Sequence, residues 1–276
     1  MLFLIFFITL SHSKLITDIP FNSTILGKET IYHILYPDTY DNQKDTLYPV
    51  VYLLHGMFDG PAGKGYISNG LEDVYNELLS KKEIKDMIIV MPYVENSCYV
   101  NRFDGTANYE TYFHEEFMPK IESEYAIDPQ RRAIVGLSMG GYAAMYYMEK
   151  YPEKFVAAQG MTASLWPEDY LDHMDPEAVT KSVDAVVLDV FNNSNYYNKH
   201  CPQVLIKNSQ RGMYDNKHFR LAVGTDDYFY HNNHLWHFEM NSKDIYHQFI
   251  VRKGGHAWTF WMNELPLCLK WLNDFI

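Results

Sequence analysis

The stretch AIVGLSMGGYAAM, residues 133–145, restricts what this chain can become more than any other. Three apolar residues lead into Gly136-Leu137-Ser138-Met139-Gly140, and a second Gly, a Tyr and two Ala follow. An apolar run before and a small-residue run after predict a strand that turns sharply into a helix. Such a turn leaves no room for a side chain on either flank, and Gly136 and Gly140 supply that room. Ser138 then stands at the tip with its hydroxyl projecting outward. The helix start beneath it carries unpaired N–H groups and a positive dipole end, so the Met139 N–H is placed to bind an oxyanion. G-x-S-x-G recurs by chance in many chains, and its weight here comes from the strand before it and the helix after it.

A strand–turn–helix of this kind belongs to a larger alternation. TIYHILY (30–36), VVYLL (50–54), MIIVM (87–91), FRLAV (219–223) and FIV (249–251) read as strands, and shorter apolar runs at 133–135 and 155–158 join them. Between them, Leu71, Val74, Tyr75 and Leu78 recur at helical spacing, as do Phe113, Phe117, Ile121 and Tyr125. Pro119 inside the second run predicts a kink. A last helix runs through Leu269, Leu272 and Ile276. Strands separated by helices imply an α/β fold with a mostly parallel sheet covered on both faces. With 276 residues, the chain fits one large domain. Residues 162–208 show no regular period and are expected to flank a site above the sheet.

A serine hydroxyl is a weak nucleophile and needs a base. The chain has twelve His, so setting must choose among them. His256 lies in GGHAW, on a glycine-flexed loop directly after the strand FIV, where it would reach the same sheet edge as Ser138. His231, His234 and His237 are three apart and fit a helix surface better than a metal site. An acid should end a strand between the serine and the His. FRLAV runs into Gly224-Thr225-Asp226-Asp227, and chemistry alone leaves both aspartates open. The loop after VVYLL, His55-Gly56-Met57-Phe58-Asp59-Gly60, offers the Met57 N–H as a second oxyanion donor. His55 itself reads as a structural side chain at a strand end. No metal or cofactor is called for.

Formal net charge is −12 and no basic run occurs, so nucleic acid is not an expected partner. Leu2 to Leu10 are almost wholly apolar, and Ser11-His12-Ser13 follows as a cleavage-like site. This predicts a signal peptide over residues 1–13, a mature domain over 14–276 and secretion. The run is far shorter than the roughly 20 residues of a membrane span. The acceptor sequons at Asn22 and Asn192 fit export. Cys98, Cys201 and Cys268 form no C-x-x-C, and Cys268 reads as core packing.

From about Pro49 onward the chain resembles the esterase D-like branch of the α/β-hydrolases. That branch includes feruloyl and acetylxylan esterases, tributyrin-type carboxylesterases, S-formylglutathione hydrolases and mycolyltransferases. The residues that carry the likeness are YLLHGMFDG, IIVMPYVENSCYVN, YETYFHEEFMPKIE, GLSMGGYAAM, GTDD and GGHAWTFWMNELPLCLKWL. The resemblance implies an α/β-hydrolase fold and a Ser138–His256–Asp227 triad, since the family's G-T-x-D takes its acid at the fourth position. By position it also implies Tyr99, Asn101 and Trp258 as substrate-binding residues. The Trp that usually precedes this Tyr in feruloyl and xylan esterases is replaced here by Cys98. The activity expected is hydrolysis, through an acyl-enzyme, of small acyl or aryl esters such as those on carbohydrate. A thioesterase or acyltransferase on the same scaffold, or a silent binding protein, are the competing expectations.

Overall fold

A computed structural model describes residues 13–42, 46–60, 63–174 and 182–276. The predicted signal peptide thus lies outside the described residues except for Ser13, which opens the first strand. Eight strands form one sheet: β1 (Ser13–Ser23), β2 (Lys28–Pro37), β3 (Tyr48–Leu54), β4 (Ile88–Pro92), β5 (Ile127–Leu137), β6 (Ala157–Met161), β7 (His218–Gly224) and β8 (His247–Arg252). Their order across the sheet is β1-β2-β4-β3-β5-β6-β7-β8. β1 and β2 are antiparallel to each other, β2 is antiparallel to β4, and every other neighbouring pair is parallel. With its flanking helices this is an α/β-hydrolase fold, as expected.

The central parallel strands β3, β4, β6 and β7 are buried on both faces, which is why they read as continuous apolar runs, whereas the edge strand β8 is not. Tyr52 and Leu54 point into one core with Ile134 and Val90. Val51 and Leu53 point into the other with Val135 and Ile89. The second core is covered by α1 (Gly65–Ser68), α2 (Leu71–Ser80) and α10 (Trp258–Leu272). Over the first lie α3 (Tyr109–Thr111), α4 (Met118–Glu124), α5 (Met139–Lys150), α6 (Val183–Phe191), α7 (Ser194–Asn198), α8 (Pro202–Asn208) and α9 (Tyr230–Ser242). Because the parallel strands share a direction, the loops after β3, β5, β7 and β8 emerge at one edge of the sheet.

Three local features depart from the sequence reading. Residues 109–124 are helical as expected, but a π-helical turn, Tyr112–Phe117, separates α3 from α4. Pro119, which has no N–H to offer the turn before it, follows this widened stretch. Residues 162–208 hold a 3₁₀ turn (Tyr170–His173) and α6 to α8 rather than irregular chain. These helices are short, which leaves little periodicity to detect; Ser182 caps α6 and Asn193 caps α7 by side chain, while α8 starts on Pro202 without one. Strand β1 escapes a period-2 reading because a bulge between Ile16 and Ile19, with Asp18 at φ 57°, shifts its register.

Candidate active site

The turn at Ser138 is as tight as its glycines suggest. Ser138 has φ 53°, a conformation uncommon for a non-glycine residue, and its N–H donates to the Met161 carbonyl (2.9 Å) on β6. A Cβ on Gly136 would lie 2.2 Å from the Gly140 carbonyl carbon, and one on Gly140 would lie 2.3 Å from the Leu54 oxygen of β3. Both positions therefore need glycine for α5 to fold back against the sheet.

Two side chains from other loops meet this turn. His256, after β8, brings Nε2 to 2.9 Å from Ser138 Oγ. Its Nδ1 lies 2.9 Å from Asp227 Oδ2. The second carboxylate oxygen, Oδ1, accepts the Phe229 N–H (2.8 Å). Asp227 is buried, whereas Asp226 is exposed and its carboxylate meets the Thr225 hydroxyl. The alternative left open by chemistry is thus resolved geometrically: Asp227 faces His256. The imidazole is held on two sides, with Tyr228 tilted over it at 4.5 Å and the Trp261 ring meeting it edge-on at 5.0 Å. Trp261 is itself anchored by its indole N–H, which donates to Thr162 Oγ1 (2.8 Å).

The loop after β3 passes beside the serine. A Cβ on Gly56 would sit 3.5 Å from Ser138 Cβ, so Met57 follows immediately beside Ser138. Among the described residues, no protein acceptor pairs with the Met57 or Met139 N–H. His55 is buried, and desolvation pushes its pKa down to about 4. It is therefore neutral near pH 7, with Nδ1–H donating to the Gly56 carbonyl (2.8 Å) and Nε2 accepting the Val94 N–H (3.2 Å). This ties the end of β3 to the end of β4 and agrees with a structural role.

Residues 133–137 and 55–60 thus converge on Ser138 in a way that invites comparison with known chains. Residues 23–272 match the family described as putative esterase. The chain belongs to that family. A Mycobacterium tuberculosis esterase is 31% identical over 144 residues, which is 50% of this chain but 30% of that protein. An acetyl esterase of Caldicellulosiruptor saccharolyticus is 25% identical over 277 residues, covering 94% of this chain and 98% of that one. Among solved structures, a ferulic acid esterase superposes with a TM-score of 0.80 at 28% identity, covering 96% of this chain and 98% of that one.

The three residues implied as substrate-binding fall differently from the triad positions. Tyr99 is fully buried; its hydroxyl donates to the His55 carbonyl (3.2 Å), so it braces the loop after β3 from below. Both Cys98 and Tyr99 have positive φ, 52° and 58°, and this strained pair turns Tyr99 inward. Asn101 spends both ends of its amide on Thr111: Nδ2 donates to Oγ1 (2.8 Å) and Oδ1 accepts the N–H (3.0 Å). Trp258 is half-buried between Tyr66 and Trp261. The rim is built instead by two exposed aromatics, Phe58 (60% exposed) and Tyr228 (67% exposed). The Phe58 N–H donates to Asn96 Oδ1 (2.9 Å). Asn96 in turn lines a cavity of about 530 Å³ between residues 95–109 and α6. A larger cavity, about 950 Å³, lies by the N-terminal ends of β7 and β8, at the opposite end of those strands from His256. The three cysteines are buried free thiols. His237 on α9 meets His247, and no group of three metal-ligating side chains occurs among the described residues. No helix among them is long and apolar enough to cross a membrane.

Ser164, Phe229 and Asp59 also lie at the site, and no sequence spacing points to any of the three. Asp59 stands under Trp258. A Cβ on Gly65 would meet the Asp59 carboxylate and the Trp258 ring at about 2 Å. The Gly65 N–H bonds this carboxylate, but burial dominates and lifts the Asp59 pKa to about 7, and Oδ2 has no partner among the described residues. A raised carboxyl pKa favours the neutral form in the folded state. Between about pH 4 and pH 7 the unfolded chain ionises at Asp59 before the folded one does, so stability from this group is lost as pH rises. Asp59→Asn, which stays neutral, is therefore expected to gain melting temperature relative to wild type across that interval. Thermal melts at pH 4, 5.5, 7 and 8 check this, and a constant difference would refute the assignment.

Proposed function

We propose that the chain is a serine carboxylic-ester hydrolase acting through an acyl-enzyme. One observation carries the reading: the unbroken contact series from Asp227 Oδ2 to His256 Nδ1, and from His256 Nε2 to Ser138 Oγ, at 2.9 Å each. His256 takes the Ser138 proton as Oγ attacks the ester carbonyl, and Asp227 holds the imidazole in the tautomer whose Nε2 is free to accept. The tetrahedral oxyanion is received by the Met57 and Met139 N–H groups. His256 then protonates the departing alcohol, and a water repeats the sequence in reverse to free the acid. Tyr99, His55 and Asn96 act as positioning residues that hold the loop bearing Met57.

The substrates proposed are neutral esters of small acyl or aryl acids, including those on carbohydrate. A net charge of −12 disfavours anionic substrates. Phe58 and Tyr228 offer exposed flat faces for stacking at the rim, and the names of the acetyl esterase and ferulic acid esterase relatives agree with this class. A hydrolysis panel tests it: nitrophenyl esters of increasing acyl length, methyl ferulate, acetylated xylan and S-formylglutathione. Specificity constants are expected to be highest for acetyl or aryl esters and to fall with chain length. Constants rising steadily to long acyl chains, or a clear preference for S-formylglutathione, would overturn the substrate class.

A further inference from the structure

Ser138 Oγ has a second neighbour besides His256. Ser164 Oγ, in the loop after β6, lies 3.1 Å from it. Ser164 is 3% exposed, and Ser138 Oγ is the one partner of its hydroxyl among the described residues. Its position is set by backbone. The Ser164 N–H donates to the Ser138 carbonyl (3.0 Å), the Thr162 N–H donates to Ala222 (2.7 Å), and Asn233 Nδ2 holds the Ala163 carbonyl (2.8 Å). The hydroxyl is thus fixed by its loop and shielded from solvent. The Ser138 proton faces His256 Nε2, so the Ser164 proton falls to a lone pair of Ser138 Oγ.

We propose that Ser164 is a further catalytic hydroxyl, donating a hydrogen bond to Ser138 Oγ as that oxygen is expelled from the acyl-enzyme. The proposal rests on the serine esterase reading. Its asymmetry comes from the ground states. In the free enzyme, Ser138 Oγ is a hydroxyl oxygen and already accepts this bond, so attack gains little from it. In the acyl-enzyme, Oγ is an ester oxygen and a poor acceptor. Water then adds to the acyl carbon while His256 takes its proton. The C–Oγ bond breaks, its electron pair goes to Oγ, and His256 returns the proton there. The Ser164 O–H is not transferred; it donates to an oxygen gaining negative charge, where a hydrogen bond is strongest. Deacylation therefore benefits more than acylation.

Pre-steady-state kinetics with nitrophenyl acetate test this. For Ser164→Ala, kcat is expected to fall about ten-fold through slower deacylation. KM should fall in parallel, kcat/KM should stay within about two-fold, and a burst of nitrophenol should appear or grow as acyl-enzyme accumulates. A hydroxyl that merely packs would lower kcat/KM without enlarging the burst, and that result, or kinetics matching wild type, overturns the proposal. Ser164→Cys keeps the size with a weaker donor and should fall between the two; it is read in the same way if the alanine variant does not fold. Fluorophosphonate labelling of wild type separates this from the underlying reading. No label on Ser138 would refute the esterase itself, whereas a normal label with unchanged Ser164→Ala kinetics refutes Ser164 alone.

Discussion

Ser138→Ala is expected to fold and to lose about a million-fold in turnover. The substitution removes the attacking oxygen and leaves the scaffold that presents it. The backbone N–H of residue 138 still reaches Met161, and the turn still rests on Gly136 and Gly140. What the fold loses is the pair of contacts from Oγ to His256 and Ser164. The buried Ser164 hydroxyl and the half-buried His256 imidazole, left without this partner, cost on the order of a few kcal/mol at most, a cost expected to leave the folded state populated. Residual hydrolysis would come from the oxyanion donors and from binding alone. Turnover of nitrophenyl acetate, labelling by a fluorophosphonate and a thermal melt read the three parts separately. Near wild-type turnover in a properly folded variant would end the acyl-enzyme reading.

Asp227→Asn should cost about four orders of magnitude in turnover with little change in fold. The reason lies in which oxygen is already committed. Asp227 Oδ1 accepts the Phe229 N–H, and Oδ2 faces His256 Nδ1. An asparagine must keep its carbonyl oxygen toward Phe229, since its amide group would place donor against donor. The amide N–H₂ then meets Nδ1 and compels it to accept, which moves the imidazole proton to Nε2. In that tautomer His256 has no lone pair for the Ser138 proton. Asp226→Asn, whose side chain is exposed and meets the neighbouring Thr225 hydroxyl, should leave turnover nearly unchanged. The comparison of the two variants checks the assignment, and the reverse result would transfer the acid role to Asp226.

Much of this site is legible in the chain because its geometry is imposed locally. A strand that reverses into a helix within one residue excludes side chains at fixed offsets, so Gly136 and Gly140 announce the turn and Ser138 at its tip. His256 is readable for a similar reason, since a glycine pair after an apolar strand marks a loop at the strand's end. The helices α6 to α8 are less legible because at 9, 5 and 7 residues they are too short to show a clear period. Tyr99 and Asn101 were placed by likeness of position, but whether such a side chain faces solvent or core depends on the φ angles of Cys98 and Tyr99 and on what Thr111 offers.

By itself, then, the sequence determined the alternation of strand and helix, the sharp turn at Ser138 and the residue types gathered at one sheet edge, because steric exclusion and apolar period act between near neighbours. Tertiary structure decided which aspartate faces His256, that Ser164 touches Ser138 Oγ, and that the half-buried Asp59 lies beside Trp258. Those outcomes depend on separations of a few ångströms between residues 26 and 29 positions apart in the chain and, for Asp59 and Trp258, much farther apart still. Such distances are set by the register of the central strands and the packing of both sheet faces, which no local pattern encodes.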